Sequence, residues 1–230
     1  MSRLSNCSFK IQNSKFKTFQ KVSEMKFLIF TISVLLCFAG CARAQTYYGT
    51  DDVKIFREGR EKDFRNPQMS PLRPEDVSKF QGLNYFPIDA GYRVKAEFTR
   101  TPDEKYFMMP TSTGRARKYI KIGTLGFKFG GKDYVLSAYQ SEPIVTQAKM
   151  QEYNGSLFIP FRDLTSGKDT YGGGRYLYLP TPKDKEMILD FNLAFNPSCA
   201  YGNESFSCPI PPKENFLTIE IKAGEKNYLK

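Results

Sequence analysis

From Tyr92 the chain alternates with a period of two. Tyr92, Val94, Ala96 and Phe98 are apolar or aromatic, and Arg93, Lys95, Glu97 and Thr99 between them are polar, the pattern of a strand with one buried face. Short apolar runs follow between turn residues: Tyr106–Met109, Arg117–Ile122, Phe127–Phe129, Tyr134–Tyr139, Leu157–Phe161, Tyr176–Leu179, Met187–Asn192 and Phe216–Lys222. Gly130-Gly131 lies between two of these runs, and glycine tolerates the positive φ of a tight hairpin turn. Strands at this spacing, joined by Gly, Pro and Asn, predict a mainly β fold: a single antiparallel β-sandwich or barrel-like domain. One or two short N-terminal helices precede it. Asp51–Asn66 is charged, with Val53, Ile55, Phe56 and Phe64 as its apolar positions, so it reads as a solvated helix laying a narrow face on the domain, with Asp51 as N-cap. Pro71 and Pro74 interrupt the chain before a second short helix over Glu75–Phe80 and an aromatic segment, Leu83-Asn84-Tyr85-Phe86.

Further upstream the pattern is neither helix nor strand of a domain. Met25-Lys26 leads into an apolar stretch from Phe27 to Ala39 and then into small residues, the order of a secretory signal. The stretch is too short to span a bilayer comfortably. Residues 25–44 are therefore read as a signal peptide, residues 1–24 as an upstream extension from a mis-assigned start, and residues 45–230 as one β-rich domain. Two processing readings compete. Ala42-Arg43-Ala44 before Gln45 fits ordinary signal peptidase, whereas Phe38-Ala39-Gly40-Cys41 resembles a lipobox that would lipidate Cys41. The second would tether the domain to a membrane by lipid alone. Either way the expected location is bacterial and exported: periplasm, cell envelope or secreted.

The net charge of +10 suggests a nucleic-acid binder until its distribution is considered. Seven of the 34 basic residues and one of the 24 acidic ones lie before residue 45, which leaves residues 45–230 at +4. Those basic residues are mostly interleaved with acids, unlike a face that tracks phosphates, so no nucleic-acid partner is expected. Cys7, Cys37 and Cys41 fall in the leader, leaving Cys199 and Cys208. A lone pair in an exported domain is most simply a disulfide; two buried thiols and metal or redox work are the alternatives. The chain has no histidine, which removes His-dependent nucleophile systems and His-ligated metals. No metal or other cofactor is expected.

The densest polar constellation runs from Arg162-Asp163 through Thr165, Lys168 and Tyr171 to Gly172-Gly173-Gly174-Arg175. Read as a ligand loop, it would hold a carboxylate or phosphate through Arg162 or Arg175. Read structurally, it is a long turn pinned by an Asp163–Arg175 salt bridge. The glycines lead into a strand, so the helix N-terminus of a phosphate cradle is missing. Asp190 and Asn192 share one face if the strand continues through them, with Leu189 and Phe191 on the other. Asp163 and Asp190 would serve as acid and base if close together; the alternative is that each accepts backbone N–H groups in its own turn. Cys208-Pro209-Ile210-Pro211-Pro212 reads as a stiff brace for the cysteine loop, or as a proline-rich ligand. The aromatics are core by default, with an exposed sugar-stacking row of tyrosines as the alternative.

Four segments, FRDLTSGKDTYGGGRYL (161–177), LDFNLAFNPSCAY (189–201), CPIPPKENFL (208–217) and IKAGEK (221–226), with SPL (70–72) and GLNYFP (82–87) more weakly, resemble the domain-of-unknown-function 1684 family. The resemblance implies no activity. It implies that Arg162, Asp163, Thr165, Gly167, Tyr171, Gly174, Arg175, Asp190, Asn192, Asn196, Pro197, Cys199, Cys208, Pro209, Asn215 and Glu225 belong to a family pattern, as site or as scaffold.

The leading expectation is a non-catalytic envelope or secreted binding domain for a polar or anionic ligand, held near Arg162, Asp163, Tyr171, Arg175, Asp190 and Asn192. Its partner would be a polar small molecule, a glycan or an envelope protein, with membrane contact only through a lipid anchor. Two alternatives stand beside it: a carboxylate-dependent hydrolase of envelope glycans using Asp163 and Asp190, and a purely structural envelope protein.

Overall fold

A computed structural model describes residues 50–142 and 156–229. The leader, both processing readings and Cys41 lie outside the described residues.

Among the described residues seven strands form one antiparallel sheet: β1 Arg93–Arg100, β2 Phe107–Pro110, β3 Ala116–Phe129, β4 Lys132–Ser141, β5 Ser156–Phe161, β6 Arg175–Pro180 and β7 Glu186–Asp190. Their order is β6-β5-β4-β3-β1-β7, with β2 also paired to β3. The sheet curls into a half-barrel, so the β class and the barrel-like reading both hold. The Arg117 and Phe127 runs fuse into the single strand β3, whose first residues pair with β2 and whose later ones pair with β1. Gly130 and Gly131, both at positive φ, close the β3–β4 hairpin as their sequence predicts.

A bulge between Lys121 and Gly123 explains how one strand serves two cores. Tyr119, Leu125 and Phe127 are separated by even numbers of residues and would share a face in a regular strand. The extra residue reverses the alternation and sharpens the local twist. Leu125 and Phe127 therefore join the main core with Ala96, Phe98, Leu136, Leu157, Ile159, Leu177 and Leu189, while Tyr119 joins Met109, Tyr139, Phe158 and Tyr176 on the opposite face. β5 is buried from Leu157 through Phe161 because both faces are covered.

Among the described residues β4 and β5 share one register pair, Tyr139 with Phe158. Asn215 bridges them instead: its Oδ1 accepts from Ser137 N–H at 2.7 Å, and its Nδ2 donates to the carbonyls of Ser137 and Pro160.

Helix α1 spans Thr50–Arg65. It begins one residue before Asp51, so Asp51 lies in the first turn and pairs with Lys54 instead of serving as N-cap. Helix α2 is only Pro74–Val77, shorter than Glu75–Phe80 at its C-terminal end. Two strand assignments are corrected. β7 stops at Asp190, whose side chain caps a 3-10 turn over Phe191–Leu193, so strand alternation ends there and Leu189 to Asn192 are all buried. Phe216–Lys222 joins no ladder: Phe216 makes an isolated parallel bridge to Arg162, the chain bends at Thr218 and Ile219, and Leu164 N–H donates to the Ile219 carbonyl. Alternate residues of that segment, Leu217, Ile219 and Ile221, face the core, and Ala223 just beyond it does the same.

Candidate functional site

Arg175 opens β6 and is 1% exposed. Its Nη2 donates to Asp163 Oδ2 at 2.7 Å and to the Ile221 carbonyl at 2.8 Å, and its Nη1 donates to the carbonyls of Ala223 and Glu225. Burial lowers the pKa of the guanidinium and Asp163 opposes that effect. Asp163 spends its other oxygen on the N–H and hydroxyl of Thr165, which in turn meets Thr170. The Arg162–Arg175 constellation is thus a long turn around a buried ion pair. Gly174 is required at its exit: φ is +91°, and a Cβ would lie 2.5 Å from the Phe161 carbonyl.

Asp190 and Asn192 form a second polar group. Asp190 Oδ1 accepts from the backbone and side-chain N–H groups of Asn192, Arg93 Nε lies 3.7 Å from Oδ2, and Asn192 exchanges hydrogen bonds with the backbone of Asp89. Each carboxylate therefore holds backbone N–H groups of its own turn. Arg162 is exposed and Tyr171 half-buried; no hydrogen bond or ion pair joins either to Asp163, Arg175, Asp190 or Asn192 among the described residues.

A third group lies under α1. Val53, Arg57, Arg60 and Phe64 fall within an arc of about 60° on a helix of 3.6 residues per turn, so the stripe facing the protein carries an apolar residue at each end and two arginines between. Arg60 Nη2 reaches Glu225 Oε2 at 3.2 Å and the Tyr201 hydroxyl at 2.9 Å, with its guanidinium over the Phe195 ring. Glu225 is fully buried and accepts from four donors: Arg60, the Tyr201 hydroxyl at 2.6 Å, and the backbone and side-chain N–H groups of Asn196. Desolvation pushes its carboxyl above the ordinary value, against the pull of Arg60, Tyr201 and Asn196. Gly224, at φ +76°, lets the chain pass close enough to Ala194 to put Glu225 there. Across an isolated antiparallel bridge from Glu225 stands Tyr85, whose hydroxyl pKa burial also raises.

Arg57 is less well matched. Its Nη1 donates to the Phe86 carbonyl at 3.0 Å and its guanidinium stacks on the Tyr85 ring at 4.4 Å. Its Nε and Nη2 find no hydrogen-bond partner among the described residues, whereas the Arg60 guanidinium and the Tyr85 hydroxyl face each other. Unmatched buried donors cost roughly 1–3 kcal/mol each, and more when charged, so the two on Arg57 are expensive unless something outside the scaffold accepts from them. Arg57 and Tyr85 line an open cleft of about 620 Å³ together with Glu58, Glu61, Lys62 and Arg65. Glu61 is already committed to Arg65 and to Leu83 N–H. No group of three or more Cys, Asp or Glu among the described residues is placed to hold a metal.

Residues 78–226 match the model of a protein family of unknown function, DUF1684. The chain belongs to that family. In this DUF1684 protein the matched region contains Tyr85, Asn196, Tyr201 and Glu225, whereas Arg57 and Arg60 precede it. The chain is similar, at 36% identity, to an uncharacterized protein of Haloarcula marismortui solved by solution NMR; the likeness covers 76% of this chain and 92% of that one, with a TM-score of 0.59. No curated protein matches. Cys199 and Cys208 are joined in a disulfide, and the proline segment after it braces the end of β2, with Ile210 N–H donating to the Pro110 carbonyl.

The α1 arginines escape a reading by apolar period because two charges interrupt the stripe. The usable signal is the spacing of Val53 and Phe64, eleven residues apart with Arg57 and Arg60 on the line between them.

Proposed function

We propose that this DUF1684 protein is a non-catalytic, exported binding domain for a small polar or anionic ligand, and that its site is the cleft beside α1. The observation that carries the reading is the unmatched pair of donors, Nε and Nη2, on Arg57, a side chain that lines the cleft. The ligand-loop residues first singled out form its supporting layer: Arg175 donates to the backbone carbonyl of Glu225, whose side chain holds Arg60, and Asp190 contributes to the field at Arg57. The disulfide supports an oxidising, exported location.

A thermal-shift screen against sugars, organic acids, nucleotides and peptidoglycan fragments tests this. At a hundredfold excess over Kd, binding to the folded state adds about 2.7 kcal/mol, which raises Tm by roughly 5–10 °C for a domain of this size. A shift abolished by substituting Arg57 supports the placement. A shift that persists unchanged moves the site elsewhere, and no shift with any class removes support for small-ligand binding.

A further inference from the structure

The geometry points to a carboxylate as the ligand group of the α1 cleft, held side-on by Arg57; the inference rests on the binding role proposed above. The two unmatched nitrogens of Arg57, Nε and Nη2, are neighbours on one edge of the guanidinium, while Nη1 on the far side is tied to the Phe86 carbonyl. That edge presents two parallel N–H donors, the fork that matches the two oxygens of a carboxylate. The guanidinium lies over the Tyr85 ring, and the Tyr85 hydroxyl, which meets Arg60, keeps its own proton to donate.

The charge balance favours a monoanion over a dianion. Arg57, Lys62 and Arg65 line the cleft against Glu58 and Glu61, and Arg57 also feels Asp190 and Glu225 from the elements packed beneath it. A phosphate dianion would bring three oxygens and twice the charge to one guanidinium edge and one hydroxyl. A carboxylate brings two oxygens and one charge to the two N–H groups of the Arg57 edge. Arg57 shares the cleft with the exposed side chains of Glu58 and Lys62, and side-chain rotamer changes are common on binding.

The test is an NMR titration of the 15N-labelled full-length protein, reading arginine Nε–H resonances, with sodium acetate and sodium benzoate against sodium phosphate and sodium chloride at matched ionic strength. The Arg57 resonance, assigned by its loss in Arg57→Lys, is expected to shift saturably with the carboxylates, and half-saturation by phosphate is expected to need at least about ten times the concentration. Arg57→Lys should weaken carboxylate binding about tenfold or more, since a point charge cannot replace a fork. Tyr85→Phe should weaken it by less and provides the same reading if Arg57→Lys does not fold. Phosphate binding as tightly as acetate would overturn the carboxylate assignment and leave the anion-binding role standing. Equal responses to all salts, chloride included, would overturn both.

Discussion

Arg175 and Arg57 are both guanidiniums drawn into the protein, and they differ in what their N–H groups meet. Arg175 gives two donors to Asp163 and Ile221 and two more contacts to the carbonyls of Ala223 and Glu225. Arg57 gives one, to Phe86, and leaves an edge unmatched. Neither burial nor charge separates the scaffold from the proposed site in this molecule; saturation of donors does. Arg175 stitches the 163–175 turn to the C-terminal segment, and nothing remains for a ligand to take. Arg57 has capacity left over and stands at a cleft.

The sharpest break in the comparison is Arg175→Met. It leaves Asp163 charged, buried and without its counter-ion, and three carbonyls short of a donor. Losing one partner of a buried pair costs about 3–5 kcal/mol, read as a lower urea midpoint with an unchanged slope. Adding Asp163→Asn should recover only the share due to the stranded charge, because the carbonyls of Ile221, Ala223 and Glu225 stay unmatched. Recovery to wild-type stability would mean that the carbonyl contacts contribute nothing.

Next in size is the disulfide. Replacing Cys199 and Cys208 by serine frees a loop whose closure stabilises by about 2–3 kcal/mol. The loop contains Tyr201, a direct partner of Glu225. Amide-exchange protection at Asn196 and Glu225 should therefore fall further than that around Asp163, which lies in the other region. Equal losses in both would show that the loop acts only on global stability.

Glu225 joins the two regions, and Glu225→Gln should cost about 2 kcal/mol by weakening the Arg60 and Asn196 contacts. Its pH dependence has a definite sign. A carboxyl whose pKa is raised on folding binds its proton more tightly in the folded state, so its contribution is full below the ordinary carboxyl range and declines as pH rises through the raised value. The stability difference between wild type and Glu225→Gln should shrink with rising pH across that window. A difference that grows would mean that the carboxylate form is the one the fold prefers.

How much of this the sequence revealed follows from what each pattern encodes. Period-two alternation located β1, and paired glycines located the β3–β4 turn, because both are local rules. The Lys121–Gly123 bulge was hidden: Tyr119, Leu125 and Phe127 keep the same parity in the sequence, and only the register with β4 shows that they face opposite ways. Phe216–Lys222 has strand periodicity without a strand, since alternate burial requires a core but no neighbouring ladder. The polar motif around Asp163 and Arg175 was conspicuous in sequence, and its partners, the carbonyls of Ile221, Ala223 and Glu225, lie some fifty residues downstream and carry no side-chain signature. Arg57 and Arg60 sat in what looked like a solvated helix, because hydropathy counts arginine as outside wherever its stem and stacking partners happen to be.

The smallest effect on stability is expected where the effect on binding is largest. Arg57→Met removes an unmatched pair of donors and one hydrogen bond to Phe86, and it keeps an apolar stem against Tyr85. The loss of that bond, about 1 kcal/mol, is offset by relief of the desolvated charge, since burial already lowers the pKa of Arg57. The net change in unfolding free energy should lie within about 1 kcal/mol of zero, and ligand-induced shifts should disappear. The same substitution at Arg175 would do the reverse, removing several kcal/mol of stability from a position that no ligand touches. If Arg57→Met instead destabilised as much as Arg175→Met, its unmatched edge would have partners in the folded protein after all, and the cleft would belong to the scaffold.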